Sequence, residues 1–321
     1  MKQAQFEKQF EADWRQLDQQ LATLEKLRHG DLASDPSLNQ LPASYRRICH
    51  HQALARERGY SLSLIQRLDD LVLRGYRQLY RPRLPLAAPI KQFLLAGFPQ
   101  AVRAQWPWQL ASAVAFCVSL ILLWALVRNQ PDMVYALLDQ ATAEQMESMY
   151  HPEAEHRTQR TASDDVTMFG YYIYNNIGIA FRTFAGGLFF GVGALFVMLF
   201  NGSFFGAIAA HLTNAGFQQP FFTFVIAHGA PELTAIVLAG GAGLRLGWAL
   251  LAPGPWSRRE ALGLAASQAM TVMYGAFALL LLAAFIEAFW SPRQFEAWIK
   301  YSVGGVLWLL TLGYLFAAGR R

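Results

Sequence analysis

Apolar residues follow two different patterns along this chain. Up to about residue 107 they recur at three- and four-residue steps, as on one face of an α-helix. The first stripe predicts a helix that ends near Gly30, and a turn at 35–37 should separate it from two further helices over 41–51 and 61–80. The residues of this stripe are Phe6, Phe10, Trp14, Leu17, Leu21, Leu24 and Leu27.

Residues 90–106 form a second kind of amphipathic segment, after a break in the pattern at 81–85. Apolar and aromatic side chains such as Phe98 mix here with Lys91 and Arg103, as expected of a helix in the membrane interface. Residues 1–107 are therefore predicted to be a cytoplasmic helical region that ends in an interfacial helix. This region is either a docking surface for a cytosolic partner or a small bundle that packs only on itself.

Beyond residue 107 the apolar residues occur in long continuous runs. Most of these runs approach or exceed the ~20 residues that a membrane-spanning helix needs. The runs cover 108–127, 171–200, 203–216, 221–251, 262–288 and 301–318. The run at 203–216 is short and is either a thin crossing or a re-entrant half-helix. With 54% hydrophobic and 15% charged residues, the chain is predicted to be an all-α polytopic helical membrane bundle.

The charged residues predict the orientation of this bundle. Residues 1–107 contain 16 of the 27 Lys and Arg residues and 10 acidic residues, whereas 128–170 contains 8 acidic residues and 3 arginines. The positive-inside rule places the first region in the cytoplasm and the acidic loop outside. If the arginine pairs at 258–259 and 320–321 are also cytoplasmic, the number of crossings is even. The chain should then have six spans, with both termini in the cytoplasm.

The net charge of +5 does not indicate a nucleic-acid partner. The basic excess lies on the predicted cytoplasmic side, where the anionic headgroups of membrane lipids attract it. Membrane lipids are therefore the partners that the charge pattern predicts.

Pairs of glycines four residues apart occur three times in the glycine-rich transmembrane bundle predicted over 171–321. On a helix each pair would lie on one face and let a neighbouring backbone approach closely, although such pairs also arise by chance. The pairs are Gly187 and Gly191, Gly202 and Gly206, and Gly243 and Gly247. They predict a compact bundle and make a homodimer plausible.

Few ionisable residues lie inside the apolar runs, and they indicate where a site should be sought because a charge in hydrocarbon is costly. His228 and Glu232 are four residues apart, but Pro231 between them predicts a kink or a break in the helix. At ~1.5 Å per residue, His228 should lie near the depth of Arg182. We expect one outward-facing polar pocket formed by Asn175, Asn176, Arg182, His228, Glu232 and Glu287.

These polar residues have two different explanations, and the residues alone leave both open. Arg182 could pair with Glu232 or Glu287 only to neutralise buried charge and fix the helix register. Alternatively, His228, Glu232 and Glu287 could bind a divalent metal such as zinc and leave one position for water, or could act as an acid–base set.

A series of short motifs occurs in a definite order in the second part of the chain. They are Asn175-Asn176-Ile177, Phe200-Asn201-Gly202, His228-Gly229-x-x-Glu232-Leu233, the glycine-rich stretch 239–244, and Ile286-Glu287-Ala288-Phe289 with Pro292. Together these motifs resemble the stage II sporulation protein M family of integral membrane proteins. The resemblance covers about residues 90–321.

This resemblance implies a multi-pass protein of the bacterial cytoplasmic membrane that anchors or organises cell-envelope partners. The sporulation member implies peptidoglycan-remodelling proteins outside, and other relatives imply a MoxR-type ATPase system inside. The long N-terminal region departs from the shortest members of the family. Two other classes stay open: a transporter or channel that uses a broken helix at 228–232, and a membrane-embedded metal-dependent hydrolase. The organiser is favoured, so enzymatic activity is not the expected function.

Overall fold

The computed structural model describes residues 1–26, 41–79, 87–151 and 161–320, and these residues form an all-helical protein, as predicted. The chain divides into two compact units, Met1–Pro89 and Ile90–Arg321. The helix end predicted near Gly30, the turn at 35–37 and the break at 81–85 lie outside the described residues, as does 152–160 of the predicted external loop.

The described residues of the first unit up to residue 79 form three long helices, α1 (Gln3–Lys26), α2 (Leu41–Glu57) and α3 (Leu62–Leu79). The stripe predicted on α1 forms one side of its hydrophobic core, because Phe6, Trp14 and Leu21 are fully buried. Ile48 of α2 and Leu68 of α3 are also fully buried in the same core. This unit therefore has its own apolar interior, as an independently packed domain requires.

A buried histidine lies in this core. His51 is 5% exposed, and its Nδ1 accepts a hydrogen bond of 3.2 Å from Trp14 Nε1, so the ring is in its neutral form. Burial lowers the pKa of His51, and the opposing attraction of Asp13 is smaller. The folded unit therefore holds fewer protons at this position than the unfolded chain does below the ordinary histidine pKa of 6.5.

Acidification should consequently loosen the first unit. The contribution of His51 to stability is constant above about pH 6.5 and falls as the pH drops toward the depressed folded-state pKa, because the unfolded state gains a proton first. Hydrogen exchange of the α1–α3 amides, corrected for the intrinsic pH dependence of exchange, should show less protection at pH 5.5 than at pH 7.5. His51→Gln keeps an acceptor for Trp14 and should flatten this dependence. An equal pH response in both proteins would contradict the assignment.

The remaining helices follow in chain order from the boundary between the units. They are α4 (Ala87–Gln92), α5 (Phe98–Ala104), α6 (Trp106–Asn129), α7 (Gln140–Tyr150), α8 (Ala162–Gly186), α9 (Val192–Asn214), α10 (Gln218–Leu251), α11 (Arg258–Phe285) and α12 (Ala297–Ala317). A π-helical turn, Phe93–Gly97, joins α4 to α5, and a second, Ile286–Trp290, extends α11. A short 3₁₀ helix, Pro131–Ala136, precedes α7.

Five of the described helices are long and apolar enough to cross a membrane: α6, α9, α10, α12, and α11 with its π-helical turn. Helix α8 has 25 residues but carries Asp164 and Asp165 in its first turn, and it is not among the five. It nevertheless runs alongside them, because Phe169 near its start packs on Phe289 and Thr183 near its end contacts Gly243. Six long helices therefore form the described part of this bundle.

From α8 onward, long helices that follow one another in the chain run in opposite directions, whereas the neighbours α6 and α9 run in the same direction. Gly186 at the end of α8 contacts Gly193 at the start of α9, and Arg128 at the end of α6 donates to Asn214 at the end of α9. Lys300 at the start of α12 bonds to the carbonyl of Ser291, which follows α11. The bundle thus has two ends, which we name by their charges. The arginine end carries Arg103, Arg245, Arg258, Arg259 and Arg320, and the acidic end carries Asp132, Asp139, Glu144, Glu147, Asp164 and Asp165.

The second and third apolar runs are divided differently from the prediction. The helix break falls at 187–191, where Phe190 has a φ of 53° and Gly191 a φ of 83°, and not between 200 and 203. Residues 203–216 are therefore neither a separate thin crossing nor a re-entrant half-helix, because most of them belong to the 23-residue helix α9. The turn is apolar throughout, so hydropathy could not reveal it.

Glycines allow the closest approaches within the bundle. A Cβ added to Gly206 of α9 would lie 2.2 Å from the carbonyl oxygen of Leu120 in α6. A Cβ on Gly247 of α10 would lie 2.1 Å from the backbone nitrogen of Gly191. The pair Gly187 and Gly191 forms the turn between α8 and α9 instead of a helix face, which corrects the prediction for that pair. This turn packs on α10 through backbone contacts.

The segment predicted to be interfacial belongs to the second unit. Phe98 of α5 is 1% exposed and lies against Gly275 of α11. Arg103 donates two hydrogen bonds of 2.7 Å to the carbonyl oxygens of Leu315 and Ala318, at the end of α12. These bonds satisfy orphan carbonyls of the helix C-terminus and fasten α5 to the arginine end of the bundle.

Candidate functional site

Helix α10 carries His228 and Glu232 and is continuous from Gln218 to Leu251, with Pro231 inside it. The predicted break at 229–231 is therefore wrong. A proline removes one backbone hydrogen bond, but neighbouring helices can hold a membrane helix straight around it. Because the helix is unbroken, His228 and Glu232 lie one turn apart on the same face.

Glu287 approaches this face from α11. It lies in the π-helical turn Ile286–Trp290, where one extra residue per turn changes the direction in which side chains point. Its Oε1 is 4.0 Å from His228 Nε2, and the two residues are 9% and 4% exposed. One potential ligand atom from each of His228, Glu232 and Glu287 lies within 4.8 Å of the others. The structure thus brings together the three residues proposed as metal ligands.

Two residues that the sequence analysis missed complete this cluster. Ser291 is fully buried, and its Oγ forms a hydrogen bond of 2.9 Å with His228 Nδ1. Lys300 is 3% exposed and donates a bond of 2.8 Å to the carbonyl oxygen of Ser291. Both residues lie just outside the apolar runs 262–288 and 301–318, so a search restricted to those runs could not find them.

The serine bond determines how the histidine ring can act. With Nδ1 held by Ser291, Nε2 is the nitrogen directed toward Glu287. Metal-binding histidines are typically oriented in this way, by a second hydrogen bond on the other ring nitrogen. In tetrahedral zinc sites with bonds of ~2.1 Å, ligand atoms are about 3.4 Å apart, so small side-chain movements would close the cluster around an ion.

Glu232 gives a further reason to expect a ligand. Its Oε2 is buried, and within the described residues it has no hydrogen-bond partner. A buried carboxylate oxygen without a donor is costly, and a cation satisfies it well. One histidine and two carboxylates are a common ligand set for zinc and related divalent ions.

Asn175 and Asn176 lie on α8. Asn176 is 3% exposed, and its Oδ1 accepts a hydrogen bond of 2.9 Å from Asn175 Nδ2. The hydrogen bond that the structure shows for these amides thus joins them to each other. Their inclusion in one pocket with His228 stays a prediction.

Arg182 does not lie at the depth of His228. Helix α8 begins at Ala162 and not near Tyr171, so Arg182 lies close to its end. The neighbouring Thr183 contacts Gly243, which follows His228 by 15 residues, or roughly 22 Å along the helix. Arg182 is exposed and forms no ion pair within the described residues. The structure therefore contradicts the explanation in which Arg182 pairs with Glu232 or Glu287.

Within the described residues, two other contacts between an acidic and a basic residue occur at the acidic end. His211 Nε2 of α9 lies 2.9 Å from Glu147 Oε1 of α7, and this contact joins α7 to the bundle. Asp165 at the start of α8 is 2% exposed and pairs with Arg293, which follows α11. These pairs join elements within the acidic end, and only His211 lay inside a predicted apolar run.

A family comparison agrees with this architecture. The model for stage II sporulation protein M matches residues 112–292, more than half of the chain. The chain belongs to this family. The match contains the sporulation-family motifs around His228 and Glu287 and also Ser291, whereas Lys300 lies beyond it.

A second family model, for a domain of unknown function (DUF8413), matches residues 4–81. This match lies within the first helical unit, while the sporulation-family match lies entirely within the second. No curated protein matches the chain, and no solved structure does.

Proposed function

We propose that this protein organises cell-envelope partners from the bacterial cytoplasmic membrane. The observation that carries the proposal is its division into a membrane bundle of the sporulation-protein family and a separate helical unit with its own core. The bundle and this separate helical unit can together anchor one partner on each side of the membrane. The partners inferred from the family resemblance are peptidoglycan-remodelling proteins outside and a MoxR-type ATPase system inside.

The charges support an orientation for this proposal. By the positive-inside rule, the arginine end faces the cytoplasm and the acidic end faces outward. Both chain termini are then cytoplasmic, since α6 starts and α12 ends at the arginine end. The first unit is accordingly available to a cytosolic partner.

The acidic end offers an ordered surface to an external partner. Leu138 and Tyr150 are buried, and Tyr150 packs edge-on against Phe221 with ring centroids 5.2 Å apart. Beside these anchors, Tyr135 is 52% exposed. An exposed aromatic residue on a rigid element is a common feature of protein interfaces.

The proposal predicts altered wall synthesis when this surface is changed. In a deletion strain, fluorescently tagged peptidoglycan-remodelling enzymes should lose their normal localisation, and the full chain should restore it. Tyr135→Glu should fail to restore it at equal membrane abundance, because a charge replaces an exposed aromatic contact. Gln130→Glu adds the same charge at a neighbouring exposed position and should restore it. Normal localisation in the deletion strain would overturn the proposal.

Divalent-metal binding at His228, Glu232 and Glu287 is a second candidate function, favoured by the convergence of their ligand atoms within 4.8 Å. A bound metal ion would activate water for hydrolysis. The transporter alternative rested partly on a broken helix, and the continuity of α10 removes that part of its support. Metal analysis of the purified protein should find about one equivalent of zinc or manganese. A metal-free protein that does not take up either ion would exclude this candidate.

A further inference from the structure

A surface groove lies at the arginine end of the bundle, away from the His228 cluster. Its volume is about 400 Å³, and it is formed by the start of α6, the end of α10 and the first turns of α11. Its polar and aromatic lining residues are Trp108, Arg245, Trp248, Trp256 and Gln268, and small alanines and Leu264 complete it. Trp248 and Trp256 are more than half exposed, so the groove opens to the surroundings of the bundle.

We propose that this groove binds the headgroup phosphate of an anionic phospholipid in the adjacent membrane leaflet. The inference does not depend on the proposed organising function, since it rests only on the groove and its charge. Basic pockets between transmembrane helices recognise anionic headgroups, and tryptophans concentrate at the depth of those headgroups.

Arg245 supplies the positive charge of the groove. Its Nε is buried without a hydrogen-bond partner, and within the described residues it forms no salt bridge. A guanidinium carries five donors in a geometry that matches a phosphate, and leaving a buried donor unsatisfied is unfavourable. The nearest acidic residue along α11, Glu260, instead accepts hydrogen bonds from the backbone and hydroxyl of Ser257 in a helix cap.

The lining of the groove also contains one amide residue, Gln268, that can bind a polar ligand. Gln268 lines the groove, and its backbone carbonyl oxygen accepts a hydrogen bond of 3.0 Å from the side-chain nitrogen of Gln105. The amide of Gln268 and the guanidinium of Arg245 in one groove favour a phosphate over a purely apolar acyl chain.

The tryptophans favour a lipid over a free phosphate ion as the ligand. Trp108 and Trp248 pack together with ring centroids 5.5 Å apart, at the helix ends where a bilayer meets water. Their exposed apolar surface, with Leu264 beside it, can contact the upper acyl chains while Arg245 contacts the headgroup. A free phosphate ion would leave this apolar surface unused.

Binding can be measured on the full chain in detergent by native mass spectrometry. Phosphatidylglycerol should bind more tightly than phosphatidylcholine of the same chain length. Arg245→Gln should lower the affinity for phosphatidylglycerol about fivefold, equivalent to about 1 kcal/mol. Arg182→Gln removes an exposed arginine near the end of α8, outside the groove, and should leave binding unchanged. Trp248→Ala should also weaken binding, which provides a second variant if Arg245→Gln reduces the thermal midpoint of the lipid-free protein.

The alternative sources of phosphate give different results. Inorganic phosphate at millimolar concentration should neither bind stoichiometrically nor displace phosphatidylglycerol. Equal affinities for phosphatidylglycerol and phosphatidylcholine would overturn the proposal, and so would an equal loss in Arg182→Gln and Arg245→Gln. Full displacement by inorganic phosphate would identify a free anion, not a lipid, as the ligand.

Discussion

Gly206→Ala is expected to lower the thermal stability of the detergent-solubilised protein strongly. The added Cβ would lie 2.2 Å from the carbonyl oxygen of Leu120, so α6 and α9 would have to separate. Overpacking of this kind costs ~1–3 kcal/mol, and the upper part of that range applies because a backbone atom cannot rotate away. The change is measured as a shift in the temperature at which heating removes half of the monodisperse protein peak.

The same substitution elsewhere provides the control. Gly313 of α12 has nothing within 4 Å of an added Cβ, so Gly313→Ala should leave the midpoint unchanged or raise it slightly through better helix propensity. Gly247→Ala should behave like Gly206→Ala, since its Cβ would lie 2.1 Å from the backbone nitrogen of Gly191. Similar midpoints for Gly206→Ala and Gly313→Ala would show that α6 and α9 do not pack as described.

His228→Ala is expected to reduce the affinity for zinc or manganese by about 100-fold or more. It removes the only nitrogen ligand of the three-residue cluster, a larger loss than that of an outer hydrogen-bond partner, which typically costs 10- to 100-fold. Glu232→Gln removes a carboxylate charge with almost no change of shape and should also abolish tight binding. Titration of the purified variants with the metal ion in a calorimeter measures both effects.

Two controls separate metal binding from general damage to the bundle. Ser291→Ala removes only the hydrogen bond to His228 Nδ1 and should weaken binding by an intermediate amount, about tenfold. His211→Ala removes another histidine with a carboxylate partner, Glu147, and should leave the metal affinity unchanged. If His211→Ala and His228→Ala weaken binding equally, the ion does not bind at the proposed cluster.

The glycine contacts tested by the stability prediction also position the helix that carries two residues of the metal cluster. Close glycine contacts position α10 against the α8–α9 turn, and α10 in turn carries His228 and Glu232. We therefore expect Gly247→Ala to weaken metal binding indirectly, in proportion to its loss of stability. Glu232→Gln should instead weaken binding without a comparable loss of the thermal midpoint, because it keeps the shape of the side chain, whereas His228→Ala also leaves a cavity and removes the hydrogen bond with Ser291.

The sequence by itself determined the class of this protein. Continuous apolar runs and the stripe from Phe6 to Leu24 are local properties of the chain, so they predicted a helical membrane bundle and an amphipathic first helix correctly. The motifs around His228 and Glu287 also indicated the family that the comparison shows. Each of these inferences needs only neighbouring residues.

The tertiary structure alone decided where the helices break and which polar residues meet. The turn at 187–191 is as apolar as the helices beside it, and its glycines are explained by backbone contacts with α10. Pro231 predicted a break, but packing keeps α10 continuous. Ser291 joins His228 and Arg182 does not, because helix starts, rotations and the π-helical turn set the depth and direction of each side chain. Hydropathy contains no information about these long-range relations.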